Sequence, residues 1–294
     1  MNGVLLMAYG SPRNASEIKR YLTSVMGGSE PNAVVVRDFA NRYLAIGGIS
    51  PLIGITESQA NGLRMLIDPN AANTRVYFGM RHSEPYISGA VERAAIDGVE
   101  TLKCIAMAPH YSVTSTEAYF DVVNKAIGSG KTTPSFVRSW HLNANLVSFW
   151  AQSVKQASKG LEDPFVIFSA HSLQEEAERE SPYRAQLNET AEAIANEAGI
   201  ADWTLAFQSR GARGDGWYGP TVEEAVRGSG RNGPFVIAPI GFVSDNLEIL
   251  YDIDIKYMGW AKERGMEMRR ARMPNDSELL IRALADLVRG ENTG

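Results

Sequence analysis

The chain has 294 residues, 44% of them hydrophobic and 21% charged, with a formal net charge of −5 spread along its length; this is globular material with room for two domains of medium size. No basic block or acidic tail supports a nucleic-acid groove or a polybasic membrane patch, so small-molecule partners are expected. Cys104 is the single cysteine, which excludes disulfides and thiolate clusters within the chain and fits a reducing, cytoplasmic setting.

In chain order, the run Met1-Asn2-Gly3-Val4-Leu5-Leu6-Met7-Ala8-Tyr9-Gly10 is apolar without a basic lead, too short for a signal core, and reads as a first strand. Strands are predicted near 3–8, 74–78, 100–107, 134–139, 163–170, 203–208, 234–240 and 266–271, alternating with helical patterns. That alternation predicts α/β architecture with parallel sheets covered by helices. The expected fold is two Rossmann-like doubly wound domains, each with a parallel sheet of about four strands, with a cleft between them. The domains are placed at 1–142 and 143–276, with an amphipathic C-terminal helix in 277–294 assigned room to pack back on the first. No stretch approaches the ~20 apolar residues of a membrane span.

Most predicted strands end in residues that turns alone do not require: Tyr9, His82, His110-Tyr111, His171, Gln208-Ser209-Arg210. His171 follows a run too apolar to carry a polar residue casually. Tyr43-Leu44-Ala45-Ile46-Gly47-Gly48 ends one helix with glycines, and Ser50-Pro51 starts the next as N-cap and first turn. Arg42 then stands on a last helical turn, as a dipole partner or a carboxylate clamp. Gly128-Ser129-Gly130-Lys131-Thr132 imitates a phosphate loop, yet it follows a helix and precedes a strand, so it is read as a helix-ending turn. The four histidines lack the spacing of a closed zinc site. If 245–252 is helical, Asp245, Glu248 and Asp252 share one face, either as a solvated stripe or as a carboxylate path for cations or protons.

At these residues the chain resembles the ferrochelatases. The resemblance rests on Met7-Ala8-Tyr9-Gly10-Ser11-Pro12, Arg42-Tyr43, Ile46-Gly47-Gly48-Ile49-Ser50-Pro51, Ala108-Pro109-His110-Tyr111-Ser112, Ser169-Ala170-His171-Ser172-Leu173, Gln208-Ser209, Trp217-Tyr218-Gly219-Pro220 and the segment 241–251. The chain looks most like the short bacterial form. The resemblance implies a chelatase-like fold, ferrous iron as substrate, and neither a tightly bound cofactor nor an iron–sulfur cluster. It also implies His171 and Glu248 as the metal- and proton-handling pair, with Tyr9 approaching the metal from the opposite face. Tyr9, Arg42, Tyr43, Ser50 and Tyr119 match positions that hold the porphyrin, and Asp252 continues an acidic line. The sequence departs from the family pattern at Asn246, where His is usual, and at Lys256, where a carboxylate is common. Met26-Gly27-Gly28 replaces a basic stretch, and Gln174 and Phe207 stand where Pro and Trp are frequent.

The expected reaction is therefore insertion of ferrous iron into coproporphyrin III or protoporphyrin IX in haem biosynthesis, with the soluble form pointing to the former. Neutral His171 is the candidate acceptor of pyrrole protons, and Glu248 relays them or carries metal. A monomer that passes haem to an acceptor protein is expected. Two alternatives stand beside it: a cobalt or nickel chelatase of another tetrapyrrole, and a haem-binding or delivery protein without turnover.

Overall fold

A computed structural model describes residues 1–70, 72–211 and 215–290. The chain forms two compact units. The first comprises Met1–Met107, Ala118–Val137 and Ser244–Tyr251, and the second Ala108–Glu117, Arg138–Val243 and Asp252–Gly294.

In the first unit the elements run β1 (Asn2–Ala8), α1 (Ile18–Val25), α2 (Ala33–Ala45), α3 (Leu52–Ile67), β2 (Thr74–Met80), α4 (Ile87–Ile96), β3 (Thr101–Ala106), α5 (Thr116–Ile127) and β4 (Thr133–Val137). The strands are parallel in the order β2-β1-β3-β4. Val4, Leu5, Leu6 and Met7 are all 1% exposed or less, because a central parallel strand is covered on both faces and must be apolar throughout. The glycines after α5 end it as expected: Gly128 has φ +52 and its N–H bonds to Asn124 O, so the phosphate-loop imitation is a turn between helix and strand. Between α2 and α3, Gly47 and Gly48 take φ +98 and +97. Leu52 N–H donates to Ser50 Oγ at 3.4 Å, but the N-cap of α3 is Pro51 rather than the expected Ser50, and it makes no side-chain cap bond.

The second unit repeats the plan with α6 (Ala144–Ser158), β5 (Phe165–His171), α7 (Tyr183–Ala198), β6 (Trp203–Gln208), α8 (Val222–Gly228), β7 (Phe235–Ala238), a π-helix (Ile249–Tyr257), α9 (Met258–Lys262), β8 (Met268–Arg270) and α10 (Glu278–Arg289). The first residues of the π-helix belong to the first unit. Its sheet is parallel in the order β6-β5-β7-β8, the same topology as the first. In each sheet the first strand in sequence lies where the order reverses, the position at which open α/β sheets place ligands beyond the strand carboxyl ends. Those two strands lead into Tyr9 and His171.

The units differ from a single cut at 142/143. The segments 108–117 and 244–251 each belong to the unit on the other side of that cut. The C-terminal helix lies in the second unit, where α10 packs against α6 and Asn143 and Asn145 donate to Asp286 at 3.3 and 2.8 Å. The apolar stripe of α10, Leu280, Ile281, Leu284 and Leu287, needs a partner face, and α6 offers buried Leu146, Phe149, Trp150 and Val154. Residues 291–294 of the predicted tail lie outside the described residues.

Candidate active site

Tyr9 is the first residue beyond β1. Gly10 turns the chain there with φ +98, and a Cβ on it would lie 2.5 Å from Ser83 Oγ, so only glycine fits both the conformation and the space. The β1–β2 pairing continues past the strands, with Arg81 N–H bonded to Ala8 O and His82 N–H to Tyr9 O at 2.9 and 3.0 Å. This register brings His82 beside Tyr9, their rings 4.6 Å apart and inclined at 56°. Ser24 Oγ of α1 meets His82 Nδ1 at 2.9 Å. Burial, aided by the Arg81 charge, pushes the imidazole down to about 4, which keeps it neutral near physiological pH. Tyr21, also on α1, meets the same ring edge-on at 6.5 Å and donates to Gly10 O at 3.3 Å.

Around these groups the first unit gathers Tyr43 from α2, Tyr119 from α5 and Glu248. Burial raises the phenols of Tyr9, Tyr21, Tyr43 and Tyr119, and the Glu248 carboxylate raises each of them further. Tyr9 is pushed up to about 12, with Arg81 opposing the shift. Arg81 also lies 5.9 Å over the Tyr119 ring. The result is a set of neutral phenols sharing one carboxylate, which suits a flat apolar ligand and a cation arriving from solvent.

Glu248→Gln is expected to lower the Tyr9 titration, read as the ultraviolet difference between each protein and its Tyr9→Phe counterpart. An unchanged phenol would contradict the grouping. Because the folded value is raised above 10.0, the stability linked to this phenol is complete below that pH and is lost as pH rises through about 12.

Glu248 is held through its backbone. Asn246, where the family has His, accepts from the N–H groups of Glu248 and Ile249 at 2.9 and 3.2 Å and donates to Ser244 O. It is thus the N-cap of the helix that follows. That helix continues as a π-helix over Ile249–Tyr257 rather than as the expected α-helix, and Asp245 precedes it, so Asp245 is not part of the helical face expected to carry it with Glu248 and Asp252. Asp252, in the second unit, accepts from Ser209 Oγ. Lys256 pairs with Glu223 at 3.7 Å, and Asp254 with Arg270 through two bonds of 2.6 and 2.9 Å.

Arg42, on the last turn of α2, lies 5.5 Å over Phe39 and 5.4 Å over Tyr251. Stacking on both rings leaves its N–H edge for an acceptor. Ser50 is 4% exposed and lines a concavity of about 450 Å³ with Ser11, Arg13 and the start of α3.

In the second unit, His171 is the last residue of β5. Its Nδ1 lies 2.7 Å from Ser172 O; a carbonyl only accepts, so Nδ1 carries a proton, and in the neutral ring the lone pair is on Nε2. Tyr183 donates to His171 O at 3.1 Å. Gly241 closes the other side, since a Cβ there would lie 2.6 Å from that of Ala170. His110 and His141 are placed structurally, with Nε2 of each 2.9 Å from Thr190 Oγ1 and 2.8 Å from Glu189 respectively.

Of the residues singled out in the sequence, Tyr9, Arg42, Tyr43, Ser50, Tyr119 and Glu248 lie in the first unit, and His171 and Asp252 in the second. Tyr21 and Ser24 were missed, and Arg81 and His82 were noted only as rim residues. Tyr21 sits at core spacing with Ile18 and Leu22, so helical periodicity hides it. Glu178, 1% exposed, was missed too: it accepts from Ser112 Oγ, Val113 N and Thr114 N at 2.8, 3.2 and 2.9 Å and from Thr114 Oγ1. Among the described residues no group of three or more His, Cys, Asp or Glu is arranged to hold a metal, and no helix is long and apolar enough to cross a membrane.

The family model for ferrochelatase matches residues 1–292. The coproporphyrin III ferrochelatases of Bacillus mycoides and Geobacillus kaustophilus are each 37% identical to the chain over 97% of its length, covering 96% and 94% of their own. That of Listeria monocytogenes is 35% identical over 97% of the chain and 96% of its own. In fold the chain is similar to SirB from Bacillus subtilis with Fe3+, at a TM-score of 0.63 and 10% identity over 100% of the chain and 96% of SirB. The siroheme-biosynthesis enzyme CbiX is similar at 0.59 and 13% over 98% and 99%. With a family match over nearly every residue and a fold shared with metal chelatases, the chain belongs to the ferrochelatases, enzymes that insert ferrous iron into a porphyrin in haem biosynthesis.

Proposed function

We propose that the porphyrin is coproporphyrin III and that Tyr9, Tyr43, Tyr119 and Glu248 form its principal contact surface on the first unit. The observation that carries this reading is the cluster of neutral phenols around one carboxylate at the carboxyl end of β1. Apolar ring faces suit the macrocycle. Glu248 is the one acid shared by these phenols and attracts the divalent cation. Arg42, held between two rings, is assigned to a propionate. The coproporphyrin assignment is supported by what the similar bacterial enzymes are named for.

Insertion requires loss of two pyrrole protons and a ring bent enough to present its nitrogen lone pairs. Remote grip on the ring edge offsets that strain. His171 is assigned as the proton acceptor because its tautomer leaves the lone pair on Nε2. Tyr9, held neutral by burial and Glu248, is assigned to the metal as a phenol whose proton leaves only when a cation replaces Arg81 as its positive neighbour. Asp252 is assigned no relay step, because Ser209 already engages it. A cytoplasmic setting belongs to the proposal and is supported by the lone Cys104, whose thiol burial pushes up to about 12 and so keeps unreactive. Release of the iron porphyrin from a monomer to an acceptor protein completes the reading.

Anaerobic competition between coproporphyrin III and protoporphyrin IX for ferrous iron tests the substrate. The tetracarboxylic porphyrin is expected to show the higher kcat/KM. Equal values, or a preference for the dicarboxylic one, would overturn the assignment.

A further inference from the structure

The segment Met26-Gly27-Gly28 carries no charge, so a highly carboxylated substrate draws no positive charge from it. The concavity beside Ser50 supplies a candidate source. It measures about 450 Å³ and has two walls: the segment Ser11-Pro12-Arg13 that follows Tyr9 and Gly10, and the first turn of α3 with Ile49, Ser50 and Gly54.

Three observations make it an anion site. First, Arg13 is exposed, and among the described residues its guanidinium is in no ion pair. Its backbone is nonetheless held, because its N–H donates to Glu17 at 2.9 Å and Ser11 N–H donates to Ser83 Oγ at 3.1 Å. Glu17 is engaged by that backbone N–H and lies 3.7 Å from Arg20. Second, α3 is a helix of 16 residues whose N-cap, Pro51, makes no side-chain cap bond. The only hydroxyl bond there is the 3.4 Å one from Leu52 N to Ser50 Oγ, so the N–H groups of the first turn have neither an intrahelical acceptor nor a good cap. Third, Ser11, 2% exposed and on the wall of the same concavity, has a buried Oγ without a hydrogen-bond partner.

We infer that Arg13, with Ser11, Ser50 and the amino end of α3, forms a carboxylate subsite that grips one propionate of the porphyrin. The inference rests on the coproporphyrin reading above and adds to it a specificity-determining residue. A guanidinium presents paired N–H donors to a carboxylate, and the helix end adds partial positive charge from the facing wall.

Arg13→Ala is expected to raise KM for coproporphyrin III about tenfold, as loss of one charge-assisted pair in a half-open site does. The value of kcat should stay nearly unchanged, and Arg13→Lys should fall between. Direct binding separates this from the substrate assignment: quenching of tryptophan fluorescence by metal-free coproporphyrin III and by its tetramethyl ester is measured without iron. Weaker binding of the free acid by Arg13→Ala, with the ester unaffected, supports the subsite whichever porphyrin proves to be the better substrate. Equal affinity of variant and parent for the free acid overturns it, as does an equal loss for acid and ester. A preference of the parent enzyme for protoporphyrin IX would overturn the substrate reading alone.

Discussion

His171→Ala is expected to lower the rate of iron insertion by about 10²–10⁴-fold, the usual contribution of a positioned general base. The fold should be retained. His171 ends β5, the strand at which the second sheet reverses its order, and the Ser172 carbonyl sets its tautomer. Removing the ring deletes the base while β5 keeps its ladder to β6 and β7. The structural loss includes the half-buried Nδ1 bond to the Ser172 carbonyl, worth about 1 kcal/mol. Stopped-flow absorbance under anaerobic conditions reads the rate, and circular dichroism on heating reads the fold. Unchanged turnover would remove His171 from the mechanism. His171→Gln, which keeps a polar group but no titratable base, should be nearly as slow as alanine.

The second large effect concerns stability and does not depend on the substrate. Glu178 accepts from Ser112, Val113 and Thr114, so Glu178→Ala strips the acceptors from several buried donors at once. Hydrogen bonds to a charged group are each worth ~1.5–3 kcal/mol but are not additive within one carboxylate. A loss of about 3 kcal/mol is expected, lowering Tm by roughly 5–10 °C. Burial alone would push this carboxyl up, yet the bonds from Thr114, Ser181 and Ser112 outweigh it and hold it below its ordinary 4.5. With the folded value depressed, the stabilisation is present above 4.5 and disappears as pH falls through the folded value. The gap in Tm between parent and variant should therefore be full near neutrality and shrink in acid. Glu178→Gln should lose less than alanine, and a gap independent of pH would show that the carboxylate charge is immaterial.

The central strands were the plainest to read because parallel strands buried on both faces must be apolar along their length, and Val4 to Met7 or Val166 to Phe168 leave no other reading. The polar residues just past them stood out for the same reason. Tyr9 and His171 interrupt apolar runs at the point where a chain can next reach solvent. The glycine-lysine-threonine decoy was resolved by its place between a helix and a strand.

The rest depended on partners distant in sequence. Ser24 meets His82 at the Tyr9 rim because β2 pairs with β1 in the register Ala8↔Met80, which carries His82 next to Tyr9 over an interval of more than seventy residues. Glu178 lies in a segment of ordinary charged composition, and nothing local says which of its acids is buried. Asp245 fell outside the acidic helical face because the helix begins only after Asn246 caps it, a boundary that residue spacing does not record. Asn246 looked like the loss of a functional His, whereas in place it caps the helix that presents Glu248.

The sequence by itself determined the two repeated α/β units and the residues at the ends of their central strands, since solvent exclusion acts on each strand's own composition. Only the tertiary structure decided which phenols share Glu248, which residues Arg42 stacks on, where α10 docks and which loop Glu178 holds. Those depend on register, on side-chain reach across the sheet and on the charge each group meets once it is buried, and such quantities belong to pairs of residues rather than to any one of them.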